Sequence, residues 1–501
     1  MIPQPDPETS PPGGATACRR PPRGPTLRDV TPDTSASGTD LAPTVTRHRL
    51  RVTSWALWDW GSAAFNAVIT TFVFTRWITS ESFADPDLVT AATAEGTTGP
   101  ASAELASTLA QHTAWLGWGL ALAGFAIALL APALGARADG SGRRRRGLAV
   151  HTAVTVALSA AMALVRPDPE SLTFNILLGI TLLALANVAF ELASVHYNAM
   201  LNQISTRSTM GRISGIGWGA GYVGGIVLLL LLFVGFLNPT VGWFGVTAED
   251  DTHIRAAILV AALWFALFSV PVLLAVPEAP RSPTRAHLTF LGSYRQLARD
   301  VRALWHGERA VLHFLLASAV YRDGLAGVFT FGAVIAGGTF GFGPADVVVF
   351  AIAANVVAGA ATFLGGFLDD RIGPKRVILF SLVGLLACGI ALFLLHDGTR
   401  TMFWVFGLGL CLFVGPAQSA SRSLLGRMIP PGRESELFGL YATTGRAASF
   451  LTPLTFSTFI AVMGAQYWGI LGIVLVVGLG LGLLLPIRVP RRAPLGDEPA
   501  P

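Results

Sequence analysis

Apolar runs of about 20 residues recur along the chain from Ser54 onward, broken by short polar connections. They start near Ser54, Ala114, Gly147, Phe174, Ile213 and Arg255, and again near Val311, Asp346, Val377, Thr401, Leu437 and Trp468. A helix rises about 1.5 Å per residue, so each run can cross the roughly 30 Å hydrocarbon core of a bilayer. The pattern predicts an all-α integral membrane protein with twelve transmembrane helices in two sets of six. Some polar residues inside the runs keep helical spacing. Asp59, Ser62, Asn66 and Thr70 in the first run fall at i, i+3, i+7 and i+11. Asn187, Glu191, Ser194 and Asn198 in the fourth fall at i, i+4, i+7 and i+11, with Asn202 one turn beyond. Each set marks one helix face, and such a face turns to protein or water rather than lipid.

Composition agrees with the pattern. The 501 residues are 52% hydrophobic and 13% charged, against roughly a quarter charged in soluble domains. The net charge of +5 does not point to nucleic acid, because the basic residues form short clusters between apolar runs and not one aromatic-rich face. They read as topology signals. Arg47, Arg49 and Arg51 precede the first run, Arg137 and Arg143 to Arg146 follow the second, and Arg207 and Arg212 follow the fourth. Arg281 to Arg309 fill the central connection, and Arg371, Lys375, Arg376, Arg427, Arg433 and Arg488 follow later even-numbered runs. The opposite side has Arg166, Arg255, Arg400 and a long acidic connection from about Thr79 to His112. The positive-inside rule then places both termini and the central connection in the cytoplasm of a multi-pass plasma-membrane protein.

Residues 1–46, rich in Pro, Thr, Gly and Ser, read as a disordered cytoplasmic tail. The two six-helix halves fall at 47–278 and 311–490, with a cytoplasmic loop at 279–310 between them and a second tail at 491–501. Cys18, Cys388 and Cys411 are too few and too scattered for a disulfide framework or metal cluster.

The halves repeat in sequence. Gly135, Asp139 and Gly142 in GARADGSGRRRR match Gly366, Asp370 and Gly373 in GFLDDRIGPKR at an offset of 231 for all three. Asp59 in WDWG matches Asp323 in YRDG at an offset of 264, larger by about the length of the acidic connection. Two six-helix halves in parallel repeat are the plan of major facilitator transporters. The Gly-x-x-x-Asp-x-x-Gly pattern, with Arg143 after it, resembles that superfamily's cytoplasmic signature. WALWDWGSAAFNAVITTFVF, HYNAMLNQISTRSTMGRISGIGWGAGYVGG and GPAQSASRSLLGRMIPPGRESELFGLYATTGRAASFLTP resemble the branch related to the vacuolar amino-acid effluxers of autophagy. The resemblance covers about residues 51–487 and implies the major facilitator fold, alternating access and small-solute transport. This chain departs from that branch at Ser62, where Asn is usual, at Arg446, where Lys is common, and at Thr452, where Gly precedes Pro453.

In the major facilitator plan, helices one, four, seven and ten line a central cavity. The intramembrane charges gather on those four helices, with Arg446 of the eleventh as the exception. Asp59, Ser62, Asn66, Glu191, Asn198, Arg322, Asp323, Gln418 and Arg446 are therefore the candidate substrate or proton residues. An ionised group at mid-membrane costs roughly 2.5–3.5 kcal/mol, so Asp59 and Glu191 are expected to meet Arg322, Arg422 or Arg446. Arg422 and Arg427 approach the cytoplasmic end and read as structural. A carboxylic acid suits proton coupling, because desolvation raises its pKa and a nearby guanidinium lowers it. Gly135, Asp139, Gly142, Arg143, Gly366, Asp370 and Gly373 form the candidate gating latch, in which Asp139 can accept from a helix N-terminus or an arginine. Trp55, Trp58, Trp60 and Trp77 suit interfacial anchoring, with Trp60 also a candidate cavity wall. Gly221 and Gly225 have a spacing that suits close helix packing.

The expected function is secondary transport of a small solute, an amino acid or another carboxylate-bearing metabolite, by efflux or with proton coupling. A drug or sugar transporter and a non-transporting membrane sensor on the same fold remain open. An H-E-x-x-H cluster and a Walker loop are both missing, so neither an embedded metalloenzyme nor an ATP-driven pump is expected. A small-molecule substrate and the lipid bilayer are the expected partners of a monomer without cofactor or metal.

Overall fold

The computed structural model describes residues 41–95, 99–206, 208–237, 240–278, 290–307, 309–342, 344–430, 433–463 and 465–488. The chain divides into a unit at Met1–Arg47 and a unit at His48–Pro501. Positions 1–40 of the expected tail, 279–289 of the central connection and 491–501 lie outside the described residues.

The first half comprises α1 (Leu41–Ala63), α2 (Phe74–Ile78), α3 (Pro86–Glu95), α4 (Pro100–Ser141), α5 (Arg144–Ala161), α6 (Leu172–Ile204), α7 (Met210–Leu232) and α8 (Thr252–Ala275). After α9 (Phe290–Gly307), the second half comprises α10 (Arg309–Gly338), α11 (Pro344–Ile372), α12 (Pro374–Leu394), α13 (Arg400–Met428), α14 (Glu434–Ala448), α15 (Leu451–Met463) and α16 (Gly469–Leu484). Among the described residues, ten helical segments are long and apolar enough to cross a membrane. The first and eleventh predicted runs are instead built from pieces.

The break in the first run is a π-helical stretch, Ala64–Phe72, between α1 and α2. The Thr70 and Thr71 hydroxyls both donate to the Asn66 carbonyl at 2.7 Å, and such back-bonding by threonine bends helices. The eleventh run breaks between α14 and α15. Pro453 falls in the first turn of α15, where its missing N–H costs nothing, and the Asp323 carboxylate accepts the Thr452 N–H at 2.6 Å.

The stretch from Thr79 to His112, expected as a loop, is mostly helical. Ala84, Ala92 and Leu105 join α3 to the start of α4 in a small apolar cluster, and Glu95 Oε2 accepts the Ala101 N–H at 2.8 Å. The central connection likewise holds α9, whose Tyr294 hydroxyl donates to the Leu129 carbonyl.

Two large cores form, the second of which also takes in Ile127, Ala131, Leu192, Val195 and Ala199 of the first half. Trp55, Trp58, Phe65, Phe190, Tyr197 and Phe265 dominate the first; Phe314, Tyr321, Phe403, Leu425 and Phe438 belong to the second. Large apolar side chains such as Leu122, Phe125, Leu263, Leu274, Phe380 and Leu394 stand exposed on the flanks. So much exposed apolar surface is rare on a soluble monomer and suits contact with lipid. The halves meet where α4 and α6 pack on α14 and where α7 packs on α11 and α13.

Trp55 and Trp58 are fully buried, which corrects their reading as interfacial anchors: their indole N–H groups donate inward to the Tyr197 carbonyl and the Thr152 hydroxyl. Trp60 packs on Trp264 and Phe268 of α8. The tight glycines of α7 are Gly211, Gly215, Gly217, Gly219 and Gly224, while a Cβ at Gly221 or Gly225 would make ordinary contacts at 3.5 Å.

Candidate functional site

The polar face of α6 lies along the seam between the halves. Asn187 and Glu191 contact Arg446 of α14, Asn198 contacts Arg422 of α13, and Asn202 donates to the Gly426 carbonyl at 2.9 Å. Ser194 bonds back to the Phe190 carbonyl of its own helix.

Asp59 and Arg422 form the deeper cross-half pair. Arg422 Nη1 reaches Asp59 Oδ2 and Asn198 Oδ1, both at 3.2 Å, while Nε donates to Ser214 Oγ at 3.0 Å and Nη2 to the Ser214 carbonyl at 2.7 Å. The guanidinium carbon lies 4.9 Å from the Trp55 ring centre and 5.7 Å from those of Tyr197 and Trp218. Arg422 is thus more than an end-of-helix arginine: it is buried against the opposite half. A Cβ at Gly217 would come within 2.8 Å of both Arg422 Nη2 and Asp59 Oδ2, so glycine is what lets α7 approach the pair.

Glu191 and Arg446 form the second pair, about 10 Å further along α6, as seven residues separate Glu191 from Asn198. Arg322 lies beside it. A Cβ on Gly445 would sit 3.4 Å from Arg322 Nη1, and the Arg322 guanidinium stacks 3.8 Å from the Tyr441 ring centre. Among the described residues Arg322 contacts a ring and the Tyr441 carbonyl but no carboxylate. Side-chain exposure rises from 5% at Arg422 to 35% at Arg446, and Asn66, in the π-helical stretch beyond α1, is exposed. The seam between the halves is therefore more exposed away from the basic connections, and this part is the candidate cleft.

The structure does not bring every candidate here. Ser62 donates to the Asp59 carbonyl of its own helix. Gln418 is half-buried on α13. Asp323 faces away from neighbouring Arg322, because adjacent helical residues point about 100° apart, and it holds the start of α15.

The two candidate latches join the halves at the basic end. Asp139 accepts the Ser435 and Glu436 N–H groups at 3.0 and 2.8 Å, in the first turn of α14, and pairs with Arg144 at 2.7 Å. Arg144 also reaches Glu434 at 2.5 Å. Asp370 accepts the Gly211 and Arg212 N–H groups at 2.8 and 2.9 Å, in the first turn of α7, and pairs with Arg427 at 2.9 Å. Gly142 and Gly373 take positive φ of 69° and 91° between consecutive helices. A Cβ on Gly135 would lie 2.3 Å from the Ser435 oxygen, and one on Gly366 2.8 Å from the Gly211 oxygen. Arg143 is exposed and stands outside the first latch. The turn at Gly142 resets the helical phase, so the next arginine, Arg144, points inward.

Two acids escaped the sequence reading. Glu434 looked like one charge in a polar turn, and Asp369 was masked by Asp370. Asp369 pairs with Arg427 at 2.7 Å and accepts from the Ser423 hydroxyl. The doubled acid in LDDR, against a single acid in RADG, was the available signal.

Known proteins give this geometry a class. The structure matches the major facilitator proton:xylose symporter XylE, bound to 6-bromo-6-deoxy-D-glucose, with TM-score 0.65 at 13% identity, over 90% of this chain and 96% of that one. It matches the Escherichia coli fucose:proton symporter FucP with TM-score 0.60 at 13% identity, over 89% and 99%. In sequence it is 25% identical over 432 residues to the uncharacterized MFS-type transporter YxiO of Bacillus subtilis, covering 86% of this chain and 93% of that protein. It is 27% identical over 314 residues to autophagy-related protein 22-1 of Aspergillus fumigatus, covering 56% of this chain and 49% of that protein. The chain thus spans about half the length of this fungal relative. The molecule is a multi-pass secondary transporter of the major facilitator superfamily. Residues 202–494 match the model of the family described as vacuole effluxer Atg22 like, and the chain belongs to that family.

Proposed function

We propose that this transporter moves a small carboxylate-bearing solute, an amino acid or a close relative, by alternating access. The basic end faces the cytoplasm and the cleft faces out of the cell across the plasma membrane. One observation carries the substrate class: Arg322 lies against Gly445, the neighbour of Arg446 on α14, and Arg446 is paired across the halves with Glu191. A substrate carboxylate would take the open face of Arg322 and compete with Glu191 for Arg446, as guanidinium groups favour bidentate carboxylate contacts. Glu191 or Asp59, released from its arginine, would then take a proton, which couples transport to the proton gradient. The family's description as vacuole effluxers supports export.

The test is transport of labelled amino acids, other carboxylates and neutral sugars in proteoliposomes under an imposed pH gradient. The expected result is gradient-driven movement of a carboxylate solute that Asp59→Asn or Glu191→Gln uncouples. Intact coupling in both variants overturns the proton role, and transport restricted to neutral sugars overturns the substrate class.

A further inference from the structure

The groups that hold the Arg422 guanidinium all belong to the first half. Trp55 and Asp59 stand on α1, Tyr197 and Asn198 on α6, and Ser214 and Trp218 on α7. Arg422 enters from the second half. Three aromatic rings, one carboxylate and three neutral oxygen acceptors surround the cation. This is the chemistry with which proteins bind organic cations: ring faces attract the diffuse charge, the acid neutralises it, and the acceptors fix the N–H groups.

The box is also built to stand without its occupant. The Trp55 and Tyr197 rings stack at 4.5 Å, Trp58 backs Tyr197 at 4.3 Å, and the Trp55 indole N–H is tied to the Tyr197 carbonyl at 3.1 Å. All of these contacts lie within the first half, so a separation of the halves leaves them in place.

We propose that this box is a binding site for an organic cation, an alkylammonium or guanidinium group. Arg422 fills it as a built-in ligand while the basic end is closed and vacates it when the halves part there. The inference rests on the alternating-access reading above. Parting the halves leaves Asp59 without its counter-charge among aromatic walls, where a lone carboxylate is costly. A proton would neutralise it, but a proton has no use for three rings and an amide oxygen. A ligand ammonium or guanidinium satisfies all of them, and it binds only the state from which Arg422 has withdrawn. Its occupancy and closure of the basic end exclude one another, so the ligand shifts the population toward the state open at that end.

The test vacates the box directly. Full-length Arg422→Ala protein in detergent is titrated with methylguanidinium, with sodium chloride at matched ionic strength as control, and read by tryptophan fluorescence and melting temperature. Saturable quenching and a raised melting temperature are expected with methylguanidinium alone. Adding Asp59→Asn or Trp55→Leu is expected to raise the half-saturating concentration at least about tenfold, the scale of a lost charge-assisted contact. An equal response in Asp59→Asn/Arg422→Ala protein, or none in folded Arg422→Ala protein, overturns the proposal.

Should Arg422→Ala fail to fold, Asp139→Asn/Asp370→Asn protein with Arg422 intact is used instead. There, methylguanidinium is expected to speed thiol labelling of Asn202→Cys, at the seam, in a chain whose own cysteines are replaced by serine. Unchanged labelling overturns the proposal. Both readouts are of binding, so failed transport bears on the function proposed above, and failed binding bears on the box.

Discussion

Asp139 and Asp370, 231 positions apart, each accept the backbone N–H groups of the second and third residues of a helix in the opposite half. Those N–H groups have no partner within their own helix, and they sit at its positive end. A carboxylate there satisfies two orphan donors and the helix dipole together. Each aspartate also holds an arginine, Arg144 or Arg427. Sliding or parting the halves at this end must break the four N–H contacts and the Arg144–Glu434 pair, whereas the Asp139–Arg144 and Asp370–Arg427 pairs each lie within one half.

Each latch is therefore expected to protect the turn it holds. Asp139→Ala should speed hydrogen exchange at Ser435 and Glu436 but not at Gly211 and Arg212, and Asp370→Ala should do the reverse. Charge-assisted bonds of this kind contribute about 1–3 kcal/mol, so the acceleration should be roughly ten- to a hundredfold. Exchange measured on the protein in nanodiscs checks it; unchanged rates at the freed turn would remove the latch role.

Closure also requires the two glycines behind the latches. At Gly135 and Gly366 an added Cβ meets backbone oxygen at 2.3 and 2.8 Å, and backbone in a packed helix pair yields little. Gly135→Ala and Gly366→Ala should disfavour closure while leaving each half folded. A cysteine pair at Asn202 and Gly426, where a Cβ on Gly426 would lie 2.9 Å from Asn202 Oδ1, reports on the closed state. Oxidation of that pair should stop transport and a reductant restore it, and either alanine should lower crosslinking several-fold. Undiminished crosslinking in both alanine variants would show that the seam tolerates the methyl group.

Removing one member of the deep ion pair should harm stability more than removing both. Arg422 and Asp59 side chains are 5% and 18% exposed, and an orphaned buried charge typically costs about 3–5 kcal/mol. Arg422→Gln is expected to lower the melting temperature markedly, and Asp59→Asn/Arg422→Gln to recover most of the loss. Equal or additive losses in a thermal double-mutant cycle would mean that the two charges do not act as a pair.

The sequence made the helices, the repeat and the seam-facing stripe of α6 readable, because each follows from local periodicity. Asn187, Glu191, Asn198 and Asn202 recur every turn or two, and that spacing alone keeps them on one side. Pairing of Asp59 and Glu191 with arginines was readable, but not which of Arg322, Arg422 and Arg446 each would take. Arg422 lies near the end of α13, where an arginine can as well snorkel to the headgroups as cross to Asp59, 363 positions away in sequence. Trp55 and Trp58 misled for a related reason: a tryptophan near a helix end suits an interface or a core, and the choice depends on what Tyr197 and Phe265 bring from other helices. Arg143 and Arg144 differ by one position, and the positive φ of Gly142 decides which of them turns inward.

Asp323 and Arg322 give the sharpest contrast, because neighbours in one helix are assigned unlike roles. The repeat makes Asp323 the counterpart of Asp59, yet its carboxylate holds the Thr452 N–H at 2.6 Å where α15 begins. Losing such a cap costs about 0.5–2 kcal/mol. Asp323→Ala should therefore lower the melting temperature while leaving the KM for transported solute within about twofold, since a cap acts on the folded state and not on substrate contacts. Arg322→Ala should do the opposite. Its guanidinium stacks on Tyr441 and meets no carboxylate among the described residues, so on the proposed substrate role its loss should raise the KM for a carboxylate solute about tenfold or more with little change in melting. Measuring both quantities in both variants separates the roles. A KM that moves with Asp323→Ala at constant stability would return that acid to the substrate path, and an unmoved KM in Arg322→Ala would take the arginine out of it.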